Sequence, residues 1–512
     1  MRDEKNGEAI PGVSVSFDNA TTGVITDQFG YYAVTLPAGR HELTISSIGM
    51  KTVRRRILLH GNGKFNIELK NQVPTLKTVV VISERNSNVK SLQMGVEKLN
   101  IATIKSIPVL LGEADVLRVV LTLPGVTSVG DASTGFNVRG GSADQNLILF
   151  NEATIYNPAH LFGFFSAFNP DVIKDIELYK SSIPEKYGGR LSSVLDVTTK
   201  DGNNKKWTGV GGIGFLTGKI NAEGPIVKDK TSMIIGARTT YSDWLLRQIK
   251  NSDYSDSKAS FYDVDLHITH IINPKNSIYL TAYTSKDRFA LSSDTSYKYG
   301  NNNVVLKWKH NFNNRLYASF ITGMDDYRYN VSGNQNSLRG FDLKFGIRQY
   351  HFKSDFTYSP NNKHVFNFGL QSILYKLQPG TLQPMGGQTL INLEKIQPEQ
   401  ALESAVYFGD KITITPELSV NAGIRYSYFN YLGPKDVNVY ADGLPKETST
   451  IRGTYIMKRE RILKPTRARN CVYHYGMPCP GMHLLKPVII PSGNTYTCYI
   501  TQPLFHLRIY GS

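Results

Sequence analysis

The chain has 512 residues, of which 40% are hydrophobic, 20% charged and 11% aromatic, enough for roughly two to four domains with packed cores. Its 29 Tyr and 23 Phe against 3 Trp, with 44 Gly, favour sheet-rich structure and exclude collagen, a coiled coil and wholesale disorder. No run approaches about 18 consecutive apolar residues, which excludes a transmembrane helix but leaves a membrane β-barrel open, because barrel strands alternate.

The net charge of +16 is unevenly placed. Arg452–Ser512 holds nine Lys or Arg and one Asp or Glu, so half of the excess sits in the tail. The rest is only mildly basic, and nucleic acid is not an expected partner. Cys471, Cys479 and Cys498 also lie in the tail, leaving a Cys-free body that fits an oxidising, exported compartment. Met1-Arg2-Asp3-Glu4 leads directly into folded-looking sequence, so an export signal is expected to be missing from this reading of the gene.

Residues 1–72 read as a small β-sandwich, with short strands between turn signals. Val13, Val15 and Phe17 alternate with polar residues; Thr26-Asp27-Gln28-Phe29-Gly30 is a turn; Tyr31–Leu36 and His41–Ile48 are expected strands. His41 beside Glu42 is a poor metal pair, since neighbouring strand residues point to opposite faces. The order G-E-A-I-P-G-V-S-V, T-D-x-x-G-Y-Y, L-P-A-G resembles the carboxypeptidase regulatory-like domain, an accessory module without catalytic apparatus. Residues 73–100 are then a polar linker containing one β-branched run, Thr78-Val79-Val80-Val81-Ile82. That run is either a terminal strand of the preceding domain or a segment that adds to the sheet edge of a partner.

Residues 101–202 mix helical turns, short strands and glycine-rich loops. Glu113–Leu123 carries one apolar helical face, ended by Pro124-Gly125. Two stretches stand out: Phe136-Asn137-Val138-Arg139-Gly140-Gly141-Ser142-Ala143-Asp144-Gln145, and Tyr187-Gly188-Gly189-Arg190-Leu191-Ser192-Ser193-Val194-Leu195-Asp196-Val197. With the stretch Tyr156–Ser166 between them, these resemble the plug domain of TonB-dependent outer-membrane receptors, in the branch with an amino-terminal carboxypeptidase regulatory-like domain. The resemblance implies that Thr78–Ile82 is the TonB box, read by strand addition by a TonB-type energy-transducing protein. It marks Arg139, Gly140, Gly141, Asp144, Gln145, Gly188, Gly189, Arg190 and Asp196 as the plug motif. The glycines suit tight turns, and Arg139 and Arg190 are expected to pair with barrel carboxylates.

From residue 203 to 451 the period becomes two, as in the amino-terminal half of an outer-membrane barrel. Val304, Leu306, Trp308 and Phe312 oppose Lys307, Lys309 and Asn311; Phe366, Phe368 and Leu370 oppose Asn367, Gly369 and Gln371. Leu418, Val420, Ala422, Ile424, Tyr426 and Tyr428 oppose Ser419, Asn421, Gly423, Arg425 and Ser427. Outer-membrane strands and a soluble sandwich share this pattern; the plug resemblance selects the barrel. Ten or eleven candidate strands make about half of the roughly 22 that a plugged transporter uses. The expected fold is mainly β: a small amino-terminal β-sandwich, a mixed α/β plug domain and an incomplete antiparallel transmembrane β-barrel.

Gly209-Val210-Gly211-Gly212-Ile213-Gly214 satisfies G-x-G-x-x-G, but a strand-like run follows it and Glu223 is too close for a dinucleotide site. No catalytic set converges, and no cofactor or metal is expected. Cys471, His474, Cys479 and His483 have zinc-like spacing without a finger-like core. Residues 452–512 lose the alternation and read as an out-of-frame tail, since Arg508-Ile509-Tyr510-Gly511 can be encoded by codons that read Asp-Leu-Trp in another frame. The resemblance implies a truncated copy of an outer-membrane receptor of a Gram-negative bacterium. It would import, by ligand gating and energised uptake, a solute too large or scarce for porins; a surface substrate-binding lipoprotein is a further candidate partner. The alternative is a non-transporting β-rich envelope binding or adhesion protein.

Overall fold

A computed structural model describes residues 1–70, 95–106, 114–130, 135–243, 248, 257–290, 295–333, 338–414, 419–441, 443 and 450–457. Excepted within these are 19–22, 28, 48–49 and 362; for 488–492, 495–500 and 504–510 only the backbone is described. Thr78–Ile82, Leu418 and the four Cys and His residues with zinc-like spacing lie outside the described residues.

The amino-terminal domain is a four-stranded antiparallel sheet of β1 (Ser14–Phe17), β2 (Gly23–Ile25), β3 (Gly39–Ser46) and β4 (Val53–Leu59), in the order β2-β1-β3-β4. Val13, Val15, Phe17, Leu43 and Ile45 form its core with Ile67 and Leu69. Tyr31–Leu36 is not a ladder strand, which corrects the sequence reading. Its alternation is spent on packing: Tyr32, Val34 and Leu36 lie against the core, and the Tyr32 hydroxyl donates to the Phe65 carbonyl, 2.8 Å away. The ring of His41 bridges Asp18 and the Pro37 carbonyl.

The plug is a mixed sheet of β5 (Val96–Asn100), β6 (Asn146–Phe150), β7 (Ile173–Tyr179) and β8 (Ser193–Thr199), with Ala153–Thr154 at its edge. β6 runs parallel to β8; the other pairings are antiparallel. Two short helices join it, α1 (Ile101–Ser106) and α2 (Val116–Leu121). Asp115 caps α2 by accepting from the Arg118 N–H at 3.0 Å, and Gly125, at φ +79°, takes the chain out of the turn that follows. Val116, Val119 and Val120 of α2 pack onto Ile176, Leu178, Leu195 and Val197 of the sheet.

Eleven antiparallel strands follow in sequence order: β9 (Thr208–Ile213), β10 (Thr217–Val227), β11 (Thr231–Thr240), β12 (Lys258–Asn273), β13 (Asn276–Ala290), β14 (Thr295–Asn311), β15 (Leu316–Gly333), β16 (Phe341–Tyr358), β17 (His364–Pro384), β18 (Glu399–Thr413) and β19 (Ser419–Leu432). The glycine-rich stretch at 209–214 is an edge strand of this sheet, paired with β10, and not a phosphate loop. At one rim the links are never longer than five residues (228–230, 274–275, 312–315, 359–363, 414–418). At the other they reach 241–257 and 385–398. In β14, Val304, Leu306 and Trp308 are 40–44% exposed on the convex face, while Asn303 and Lys309 are buried on the concave face. In β19, Tyr426 is 62% exposed and its neighbour Arg425 only 4%. A sheet that buries its polar face and exposes its apolar one is inverted relative to a soluble domain. Among the described residues the sheet is open, and its buried polar face packs against the plug.

The tail, read as free of alternation, contributes backbone strands at Val488–Ser492, Thr495–Ile500 and Leu504–Tyr510, rich in β-branched and aromatic residues. The last pairs with β19 only over Gly423–Arg425. Among the described residues no helix is long and apolar enough to cross a membrane, which says nothing of strands.

Candidate functional site

The plug meets the wall through a chain of buried polar contacts, and a short hairpin dominates them. Ala159–His160 pairs with Phe165–Ser166 across a turn in which Leu161 and Phe162 hold left-handed φ values of 47° and 56°. Each costs roughly 1–2 kcal/mol for a side-chain-bearing residue, so the surroundings must impose it. They do. Asp287 of β13 accepts from the Leu161 N–H at 2.9 Å, and the Tyr299 hydroxyl of β14 accepts from the Phe162 N–H at 3.0 Å.

His160 sits between two carboxylates, with Nδ1 2.8 Å from Asp287 and Nε2 3.1 Å from Asp263, and its ring stacks on Phe261 at 4.1 Å. Burial alone would lower the imidazole pKa, but Asp287 and Asp263 more than offset it and raise it to about 9. Both ring nitrogens therefore donate. Arg238 of β11 forks onto Asp263 and donates to the Ser166 carbonyl at 3.0 Å. Each of the two cations faces a carboxylate that bonds it in a site closed to water, the condition under which buried charges are tolerated.

Further along, Asn151 donates to the hydroxyls of Thr199 and Thr281, at 2.6 and 3.2 Å. The Gln349 amide of β16 donates to Thr154, and its carbonyl accepts from the Tyr156 hydroxyl at 2.7 Å. Lys353 lies 3.3 Å from Glu152. Burial would raise Glu152, but Lys353, Lys307 and Lys186 together hold it down at about 2. Burial, then the nearby Glu152 charge, pushes Asp196 up; it accepts from the Tyr187 hydroxyl at 2.8 Å.

The two sequence motifs meet each other. A Cβ on Gly141 would lie 2.4 Å from the Ser192 hydroxyl, which donates to the Val138 carbonyl, and the Ser192 N–H donates to the Gln145 carbonyl at 3.0 Å. Gly140 and Gly189 take φ of +82° and +77°, and Asp144 accepts from the Ser142 hydroxyl. Gly188 admits the wall: a Cβ there would lie 2.4 Å from Nε of Arg425, whose fork donates to the carbonyls of Glu185 and Lys186.

The expected pairing of Arg139 and Arg190 with wall carboxylates is corrected. Arg139 is exposed at φ 51°, and Arg190 donates to the Gly189 carbonyl, 2.9 Å away. The wall carboxylates that bond the plug, Asp263 and Asp287, face the hairpin at 159–166 instead, and the arginine at the Gly-Gly turn comes from the wall. His160, Glu152 and Asn151, with their wall partners, were not singled out from sequence. The available signal was an uncompensated run of polar residues (Asp263, Asp265, His267) on one side of an alternating strand. Among the described residues no group of three or more His, Cys, Asp or Glu is arranged to hold a metal.

Residues 1–81 match the model of the CarboxypepD_reg-like domain, and residues 103–193 that of the TonB-dependent receptor plug domain. The chain has the plug fold and part of the barrel fold of a TonB-dependent receptor. Solved structures with that fold include the siderophore receptor PirA from Acinetobacter baumannii, at 13% identity and a TM-score of 0.51 over 69% of this chain and 59% of that one. The copper transporter OprC aligns at 10% identity with a TM-score of 0.54, over 71% of this chain and 60% of that one. A variant of the ferric enterobactin receptor PfeA from Pseudomonas aeruginosa gives 14% identity and a TM-score of 0.50, over 69% and 59%. The chain thus spans about 60% of the length of these structures. No curated protein sequence matches it significantly. TonB-dependent receptors are transporters rather than enzymes.

Proposed function

We propose that the chain is the gated portion of an outer-membrane transporter that takes up a scarce or bulky solute using energy delivered from the inner membrane. The reading is supported chiefly by how the plug is seated: buried charge pairs and hydrogen bonds tie it to the polar face of a sheet whose other face is apolar. Polar contacts exchange for water when broken, which lowers the cost of moving the plug, although the apolar contacts of Leu161 and Phe165 with Phe261, and of Ala153 with Val305 and Ile321, must part with them. Short turns at one rim and long links at the other would place the former in the periplasm. On this reading Thr78–Ile82 is the strand that a TonB-type partner pairs with, the tether is the part of residues 73–100 that precedes β5, since Val96–Asn100 belongs to the plug sheet, and a surface lipoprotein is a candidate partner at the long-loop rim. Iron–siderophore chelates and copper, named for the structural neighbours, are the first cargoes to test.

Deleting residues 78–82 from the gene in its host tests this. Uptake of the chelate that supports growth should be lost while its binding to the cell surface persists. Undiminished uptake would sink the proposal, and binding without uptake in the undeleted strain would leave the envelope-binding alternative in its place.

A further inference from the structure

The accessory domain carries a turn whose aromatic residues are not used in its own core. Asp27 builds it: one carboxylate oxygen accepts from the N–H groups of Phe29 and Tyr31, both at 2.8 Å, and Gly30 supplies a φ of +69°. Phe29 and Tyr31 are thereby presented to the short-turn rim of the barrel. The Phe29 ring lies 5.6 Å from that of Tyr279, and the Tyr31 ring 6.0 Å from that of Tyr317. The Tyr31 hydroxyl donates to the carbonyl of Asn314, in the link 312–315, at 2.7 Å. Lys309 rises from the concave face of β14 into this cluster, with Nζ 3.7 Å from the Phe29 ring centre, 4.9 Å from that of Tyr317 and 3.4 Å from the Asp27 carboxylate. Its side chain is 7% exposed. A lysine enclosed by two aromatic faces and a carboxylate has the environment of a specific contact and not of a solvated charge.

A second part of the same domain holds the plug. Lys174 of β7 donates to the Ala9 carbonyl at 2.5 Å and pairs with Glu8 at 3.2 Å. Glu8 also accepts from the Asp201 N–H at 3.3 Å. The Asn204 N–H donates to the Asn6 carbonyl at 3.1 Å, and Lys205 to that of Glu4. Gly7, at φ +75°, lets the strap close on Asn204: a Cβ there would lie 2.3 Å from its side-chain oxygen. A side chain there would be strained by the positive φ and would push the Asn204 amide aside.

One small packed domain therefore grips the wall through Phe29 and Tyr31, the plug through Glu8 and Ala9, and the segment between plug and β9 through Glu4, Asn6 and Gly7, at the same rim. We propose that the accessory domain is a latch: docked in the short-turn mouth, it holds the plug in the lumen, and it must leave the wall before the plug can move. Releasing the wall contact loosens the strap, because both belong to one packed domain. The inference goes beyond the transport reading, and its test requires no uptake.

Amide hydrogen exchange on the purified full chain in detergent tests the coupling. Lys309→Glu sets a carboxylate against Asp27 and against the electron-rich faces of Phe29 and Tyr317. Exchange at Asn204 should quicken by about tenfold or more, although Lys309 does not bond it, and at Asp201, which feels the Lys309 charge directly, by at least as much, while the amides of β8 stay protected. A short bismaleimide joining Tyr31→Cys to Tyr317→Cys, with the three tail cysteines changed to Ser, should form in high yield and restore slow exchange in the Lys309→Glu background. Unchanged exchange at Asp201 and Asn204 overturns the latch. If Lys309→Glu unfolds the barrel, cross-linking with the native lysine decides: failure of the pair to join, while a control pair within the accessory domain does, also overturns it.

Discussion

His160 of the plug and Asp263 of the barrel wall lie 3.1 Å apart, with neither side chain more than 1% exposed. A buried imidazolium between two carboxylates makes the seating of the plug depend on pH. Its folded pKa, about 9, lies above the ordinary value of 6.5. The stabilisation is therefore complete below pH 6.5 and is lost as pH rises through 9. A shift of that size corresponds to about 3 kcal/mol. Urea midpoints of the detergent-solubilised chain should fall between pH 6.5 and 9 in the wild type and stay nearly flat in His160→Gln. Parallel curves for the two proteins would refute the assignment.

Glu152 gives the opposite arm. Its pKa is held near 2, below the usual 4.5 for a glutamate, chiefly by lysines that include Lys353 of the wall. Its contribution is present above pH 4.5 and disappears as pH falls through 2. Glu152→Gln should be less stable at neutral pH and should lose less on acidification. If the wild type and the variant show the same loss between pH 4.5 and 2, Glu152 does not hold Lys353 as a charge.

Gly188 and Arg425 should behave as one unit. Gly188→Ala pushes a methyl group into the guanidinium, and overpacking of this kind costs about 1–3 kcal/mol. Arg425→Ala leaves the Glu185 and Lys186 carbonyls without their donor, at a similar cost. With the guanidinium gone the methyl has room, so the double variant should be no less stable than Arg425→Ala alone. Strict additivity in a double-mutant cycle would show that the two do not meet.

What could be read in advance follows from the range of the forces. Val304, Leu306 and Trp308 against Lys309 announce a two-sided strand because the period of two is local. The plug motifs were visible because tight turns need glycine where they occur. His160 was not, since its partners Asp263 and Asp287 stand 103 and 127 residues away, and only the register of β12 and β13 brings them together. Arg139 and Arg190 misled for the same reason: a charge in a loop does not say which wall it faces. Tyr31–Leu36 misled differently, since alternation reports which side chains are buried and not whether the backbone joins a ladder.

The environment of the convex face is itself testable at Val304, 44% exposed in the middle of β14. If that face meets lipid, Val304→Arg should cost about 2–4 kcal/mol when the chain folds into phosphatidylcholine vesicles, because a guanidinium near the bilayer midplane loses its hydration. The same substitution on a sheet face wetted by solvent is expected to stay within about 0.5 kcal/mol. Arg328, already exposed on β15 and paired with Asp326, supplies the comparison. Arg328→Gln should change the folding free energy little, since Arg328 is exposed and the buried Asp326 keeps Arg348 as a partner at 2.9 Å. A Val304→Arg variant that folds into vesicles as well as the wild type would remove the lipid from this face, and with it the membrane-spanning reading of the sheet.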